Sequence, residues 1–262
     1  MNNNSTIKTC WILVVFMLFS SCSDDLLDIK SVSTITNASF WKTEDDAKGA
    51  LNGIYVQLRN AATNIYLFGE ARSELFTYGK IGSGGYIYYL NTLTPDAAGP
   101  NWQSLYTTLN SVNLVLKYTP GISFESEETK KNVLAQAYTM RAYLYFVMTR
   151  TWGDLIILDE PVESRNPEVI YKERSTQGEV FAFIREDLNK AISLFPDNSF
   201  PTGRCFWSKP AAYALIADVY LWTGKRMGGG ASDFNQALAA LNEVKKADLA
   251  LLPRFSDVLS YS

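Results

Sequence analysis

Beyond residue 40 the apolar positions of this chain recur at three- and four-residue intervals, the period of helices that bury one face. Thr43, followed by Glu44, Asp45 and Asp46, marks a helix start. A threonine hydroxyl caps free amides there, and carboxylates suit the positive end of the helix dipole. The stripe Ala47, Ala50, Leu51, Ile54, Tyr55 and Leu58 predicts a helix from 44 to about 59, with Phe40 and Trp41 stapling its start. Trp102, Leu105, Tyr106, Leu109, Val112, Asn113 and Leu116 predict a second from 102 to about 118, stopped by Pro120 and Gly121. Thr176 and Glu179 form a capping box for a helix reaching about 195, where Pro196 ends it. Ser208 with Pro210 opens another through Leu221 and Trp222 to a stop at Gly224. Asp233 and Gln236 mark the start of a last helix, ending near 247. A short Ser- and Thr-rich tether, 34–40, precedes the first helix, a long loop spans 155–174, and no stretch reads as a strand.

One segment departs from the one-faced pattern. From 131 to 152 the chain is apolar almost all round, with Val133, Met140, Leu144 and Val147 on one side and Leu134, Tyr138, Tyr145 and Phe146 on the other. Such a helix is buried between other helices rather than lying on a surface. Ser126 caps it, Glu127 and Glu128 sit in its first turn, and Gly153 suits a left-handed end. Ala135, Ala137 and Ala142 let neighbouring helices approach closely. After Lys131 its only charges are Arg141 and Arg150; Arg141 lies inside the apolar run, so its guanidinium must find a carboxylate or free carbonyls. This helix ends in Trp-Gly and is followed by one carrying Ala191 and Leu194. The helix from 209 ends in Trp-Thr-Gly and is followed by one carrying Ala237 and Leu241. The repetition points to tetratricopeptide-like helical hairpins with long loops, an all-α fold, with two ordinary hairpins as the plainer alternative.

Composition narrows the chemistry. The 262 residues carry a net charge of -3 and no basic block, which argues against nucleic-acid binding. There is no histidine, which removes His-based triads and His-ligated metals, and Cys205 would stand alone once Cys10 and Cys22 are assigned to the leader. No metal site and no cofactor is expected. The carboxylates needed for glycoside hydrolysis are plentiful, but no motif gathers two of them. At the N-terminus, Lys8 precedes the apolar run 10–19 and then Ser20, Ser21 and Cys22. That run is shorter than the roughly 20 residues of a membrane span and fits a signal peptide. Small residues before a cysteine resemble the lipobox of bacterial lipoproteins, with Phe19 departing from its usual aliphatic residue, and Cys22 is then the lipid attachment site. Asp24 and Asp25 follow, resembling a surface-export signal.

Residues 60–101 have no sustained helical period, yet they hold Tyr66, Phe68, Phe76, Tyr78, Tyr86, Tyr88 and Tyr89 among six glycines. A connection of that length is usually functional or disordered, and so many aromatics argue against disorder. Gly82, Gly84 and Gly85 lack the lysine and strand–helix setting of a phosphate loop and read as a turn.

Five segments taken together resemble the SusD/RagB family of outer-membrane nutrient-binding lipoproteins. They are FWKTEDDAKGALNGIY (40–55), WQSLYTTLNSVNLVL (102–116), AQAYTMRAYLYFVMTRTWGDLIIL (135–158), RSTQGEVFAFIREDLNKAISLFP (174–196) and SKPAAYALIADVYLWTG (208–224). The resemblance spans the chain after the leader but only the family's N-terminal half. The expected organisation is therefore a signal peptide over 1–21 and a SusD-like α-helical region over 22–262, without the family's C-terminal half. It implies a lipoprotein anchored on the outer face of the outer membrane, with an oligosaccharide ligand and a SusC-type TonB-dependent transporter as partner, and no enzymatic activity. Ligand residues are expected in the aromatic connection: Arg72, Glu74, Tyr78, Tyr86, Tyr88 and Asn91, because sugar faces stack on rings while hydroxyls bond to polar groups. At any one of these positions, packing against the helices is the competing role. A peptide-binding or purely scaffolding partner of a transporter is the alternative function.

Overall fold

The computed structural model describes residues 37–73, 86–94, 102–164, 166–200, 205–247, 250 and 254. Contacts divide the chain into Met1–Phe40 and Trp41–Ser262. In the first unit the described residues form one helical turn, Asn37–Phe40. In the second, six long helices follow in order: α1 (Glu44–Phe68), α2 (Gln103–Tyr118), α3 (Glu127–Trp152), α4 (Gln177–Leu194), α5 (Lys209–Arg226) and α6 (Gly230–Val244). Single turns at Tyr86–Tyr89 and Pro167–Ile170 lie between them. The sole β feature among the described residues is a bridge, Leu155 with Ser175, closing the base of the loop between α3 and α4.

The caps of α1, α3 and α4 lie where the sequence places them. The Thr43 amide donates to Asp46 Oδ2 at 2.7 Å and the Asp46 amide to Thr43 Oγ1 at 3.2 Å, and Thr176 and Glu179 repeat the arrangement at α4. The threonine hydroxyls and then the threonine amides hold both carboxyls below their ordinary range. Ser126 accepts from the amides of Glu128 and Thr129, and Gly153 ends α3 at φ +76°.

Three boundaries differ from expectation. α1 runs to Phe68, well beyond 59, because Ala61, Ile65 and Phe68 continue its stripe through the polar residues Asn60, Thr63 and Asn64. Ala61 is buried, and Asn64 donates to Ser104 on α2. α5 passes through Gly224 and ends at Arg226. A Cβ on Gly224 would lie 2.7 Å from the Phe234 ring, so the glycine admits α6 rather than stopping α5. α6 accordingly starts at Gly230, and Asp233 accepts from Thr223 Oγ1 at 2.5 Å, tying the helices instead of capping one.

α3 is the axis of the bundle. It packs most extensively on α4, and also on α1, α2 and α5, while α5 and α6 form the last pair. Fourteen of its residues are buried, which is why it carries almost no amphipathic signal. Ala135, Ala137 and Ala142 are wholly buried; Ala135 meets Ala191 of α4 and Ala212 of α5, so three helices converge on small side chains. Trp102, Trp152 and Trp222 pack against the main core, and Trp41 stacks on Tyr118 at 5.3 Å, joining the start of α1 to the end of α2.

Arg141, on α3, is 4 % exposed, and each of its three nitrogens is hydrogen-bonded. Nε and Nη2 bond to the two carboxylate oxygens of Asp187 on α4 at 2.7 and 2.8 Å, and Nη1 to Asn113 Oδ1 and the Asp159 carbonyl, each at 3.0 Å. Burial pushes the Asp187 carboxyl up, against the pull of the two bonds from Arg141. Around this pair the extended segment after α3 is strapped down by its backbone. Tyr106 OH donates to the Ile156 carbonyl, Tyr145 OH accepts from the Leu158 amide, Asn113 donates to the Leu158 carbonyl, and Asn110 accepts from the Val162 amide. Burial pushes the Tyr106 hydroxyl up to about 12.

Removing one partner of a buried pair strands the other charge. Asp187→Ala is therefore expected to lower unfolding stability by about 3–5 kcal/mol in urea denaturation. A loss under about 1 kcal/mol would show that the guanidinium is satisfied without the carboxylate.

Candidate functional site

The end of the bundle where α1 stops, α2 begins and α3 stops is built from rings. Phe68 meets Trp152 at 5.0 Å between centroids and Tyr88 at 5.7 Å, both edge-on. Trp152 meets Trp102 at 6.0 Å, Trp102 meets Tyr106 at 5.7 Å, and the Arg174 guanidinium lies 5.0 Å over Trp102. Edge-to-face geometry at these spacings is favourable beyond simple burial. The row therefore gives the segment after α1 a rigid floor.

On that floor the structure brings three of the expected residues together. Arg72, in the 3-10 turn Glu70–Arg72, donates from Nε to Asn91 Oδ1 at 2.9 Å, and Asn91 Nδ2 returns a contact to the Arg72 carbonyl at 3.4 Å. Asn91 sits at φ +53°, a left-handed conformation that asparagine tolerates better than most residues. Tyr88 is 2 % exposed; burial raises its hydroxyl, which has no hydrogen-bond partner among the described residues. Tyr86 opens the turn Tyr86–Tyr89, with its side chain outside the described residues. Cys22, Glu74 and Tyr78 also lie outside them.

From Arg72 an open groove of about 1050 Å³ runs between α1, α3 and α5. Rings of Tyr66, Tyr143, Trp207 and Trp222 wall it, and Arg59, Glu70, Arg150 and Asp218 bring charges of both signs into it. Trp207 is fixed from behind: its amide donates to Tyr55 OH at 2.8 Å, and that hydroxyl donates to Gln136 Oε1 at 2.8 Å. The exposed thiol of Cys205 lies on the rim. Hydroxyl-rich ligands with apolar ring faces suit such a mixture of aromatic and polar lining. Sequence reasoning did not gather Arg59, Arg150 and Asp218 here. The signal the sequence carries is Arg150, with Arg141 one of only two charges after Lys131 in that helix.

Comparison with known proteins agrees with the helical fold. The SusD-like family model described as "Starch-binding associating with outer membrane" matches residues 33–221. "SusD-like protein P2" of Formosa agariphila is 27 % identical over 257 residues, covering 94 % of this chain and 48 % of that protein. Among solved structures, B. fragilis NanU superposes with a TM-score of 0.77 at 35 % identity, over 88 % of this chain and 47 % of that one. A "Laminarin binding SusD-like protein" shares the fold at TM-score 0.68 and 22 % identity, over 83 % of this chain and 48 % of that one. The chain thus spans about half the length of the relatives it matches. Among the described residues no helix is long and apolar enough to cross a membrane. With the family model covering most of its helices and solved relatives sharing their arrangement, the chain belongs to the SusD-like family, whose model description associates it with starch binding and the outer membrane.

Proposed function

We propose that this chain is the helical, glycan-recognising part of a lipoprotein held through Cys22 on the outward face of the outer membrane. It binds oligosaccharide and assists its import through a SusC-type TonB-dependent transporter, without altering the sugar covalently. The observation that carries this reading is the aromatic-walled groove continuous with Arg72, in a chain of a starch-binding family. Arg72 and Asn91 offer amide and guanidinium donors at its end, and Glu74, Tyr78 and Tyr86 lie on the same stretch of chain. Tyr88, buried against Phe68, supports this end of the groove from within.

Two measurements test it. Titration calorimetry with neutral hexasaccharides of α-1,4-glucan, β-1,3-glucan, β-1,4-xylan and β-1,4-mannan, together with oligogalacturonate, should give saturable heat for at least one. Arg72→Ala and Asn91→Ala should each weaken it by about tenfold, the loss of one good hydrogen bond. Absence of heat across the panel contradicts the reading. Tyr88→Phe removes a buried hydroxyl that is unpartnered among the described residues and is expected to stabilise the unliganded protein by about 1 kcal/mol, with glycan binding weakened if Tyr88 also contacts the ligand after rearrangement. Stabilisation with unchanged binding would leave Tyr88 a packing role alone.

A further inference from the structure

Arg141 and Arg150 lie on the same helix and are used in opposite ways. Every hydrogen-bonding nitrogen of Arg141 is engaged, whereas Arg150 makes no hydrogen bond among the described residues. Its guanidinium is nevertheless fixed in place. It lies 3.9 Å from the centre of the Phe146 ring and 5.5 Å from that of Trp222, positions in which a cation is held by the faces of aromatic rings. Asp218 of α5 stands opposite, with Oδ2 4.0 Å from Nη1, an ion pair too long for a direct hydrogen bond. Its side chain is 57 % exposed and that of Arg150 32 %. A positioned set of donors and a carboxylate thus face the groove with their hydrogen-bonding capacity unspent, beside Trp222, Trp207 and Tyr143.

The geometry points to a further sugar subsite at this end of the groove: Arg150 and Asp218 bind two adjacent hydroxyls of a neutral pyranose ring whose apolar face rests on Trp222 or Trp207. The inference rests on the glycan-binding reading and adds a place and a preference to it. A vicinal diol can donate to the carboxylate and accept from the guanidinium at once, so both charged groups gain partners without separating. An anionic sugar would meet Asp218 at close range, and like charges there oppose binding. The subsite is built on α3 and α5, whereas Arg72 and Asn91 belong to the segment after α1.

Cys205 on the groove rim provides the readout. The full chain is treated with iodoacetamide with and without the neutral hexasaccharides and oligogalacturonate, and modification of Cys205 is followed by peptide mapping. Calorimetry on the same samples compares wild type, Asp218→Asn and Arg150→Gln. A neutral hexasaccharide should slow Cys205 alkylation severalfold, and Asp218→Asn should weaken its binding by about tenfold, with the melting temperature unchanged. Arg150→Gln should weaken it in the same direction. Heat of binding with unaltered Cys205 alkylation and wild-type affinity in both variants would place the glycan elsewhere, overturning the subsite while leaving the family reading intact. Protection by oligogalacturonate alone would also overturn it. No heat from any sugar would remove the glycan reading itself, and the subsite with it.

Discussion

A guanidinium in the middle of an apolar helix loses its hydration, and that cost is offset only if it is paired with a carboxylate and hydrogen-bonded. Arg141 engages all three of its nitrogens by drawing four parts of the chain together: α3, which carries it, Asp187 on α4, Asn113 on α2 and the Asp159 carbonyl after α3. Those bonds fix the relative positions of three helices. They also lay down the strap over 155–162, whose backbone is read by Tyr106, Asn110, Asn113 and Tyr145 rather than by a sheet. A loop that sequence reads as long and irregular becomes a fixed wall of the bundle.

With the helices fixed, the two features of the candidate site follow from where they end and what they leave uncovered. The end of α1, the start of α2 and the end of α3 converge on Phe68, Trp102 and Trp152, a floor beneath Arg72 and Asn91. α1, α3 and α5 stand apart enough to leave a groove whose walls are aromatic and whose rim is charged. The same helix serves both purposes through its two arginines, one sealed inside the tie and one held open by rings.

Local chemistry was legible in the sequence. The capping residues Thr43, Ser126 and Thr176, the burial of the helix around Arg141, and that arginine's need for a carboxylate all depend on neighbours a few residues away or on polarity alone. Features set by contact between distant segments were not legible. Gly224 reads as a stop until Phe234 of the next helix is seen against it. The continuation of α1 was present in the spacing of Ala61, Ile65 and Phe68 but obscured by the polar residues between them. Asp218 looks like any acidic residue on an exposed helix face, and only the packing of α5 beside α3 sets it opposite Arg150. Of the residues expected to bind, Arg72 and Asn91 meet in space although 19 positions separate them, a pairing that no periodicity announces.

The most direct measurement is a crystal structure of the chain with a neutral hexasaccharide bound. The account places sugar density along the groove between α1, α3 and α5, beginning near Arg72 and Asn91 and reaching the Arg150–Asp218 pair. Density confined to the surface of α6, or to the strap over 155–162, would contradict it.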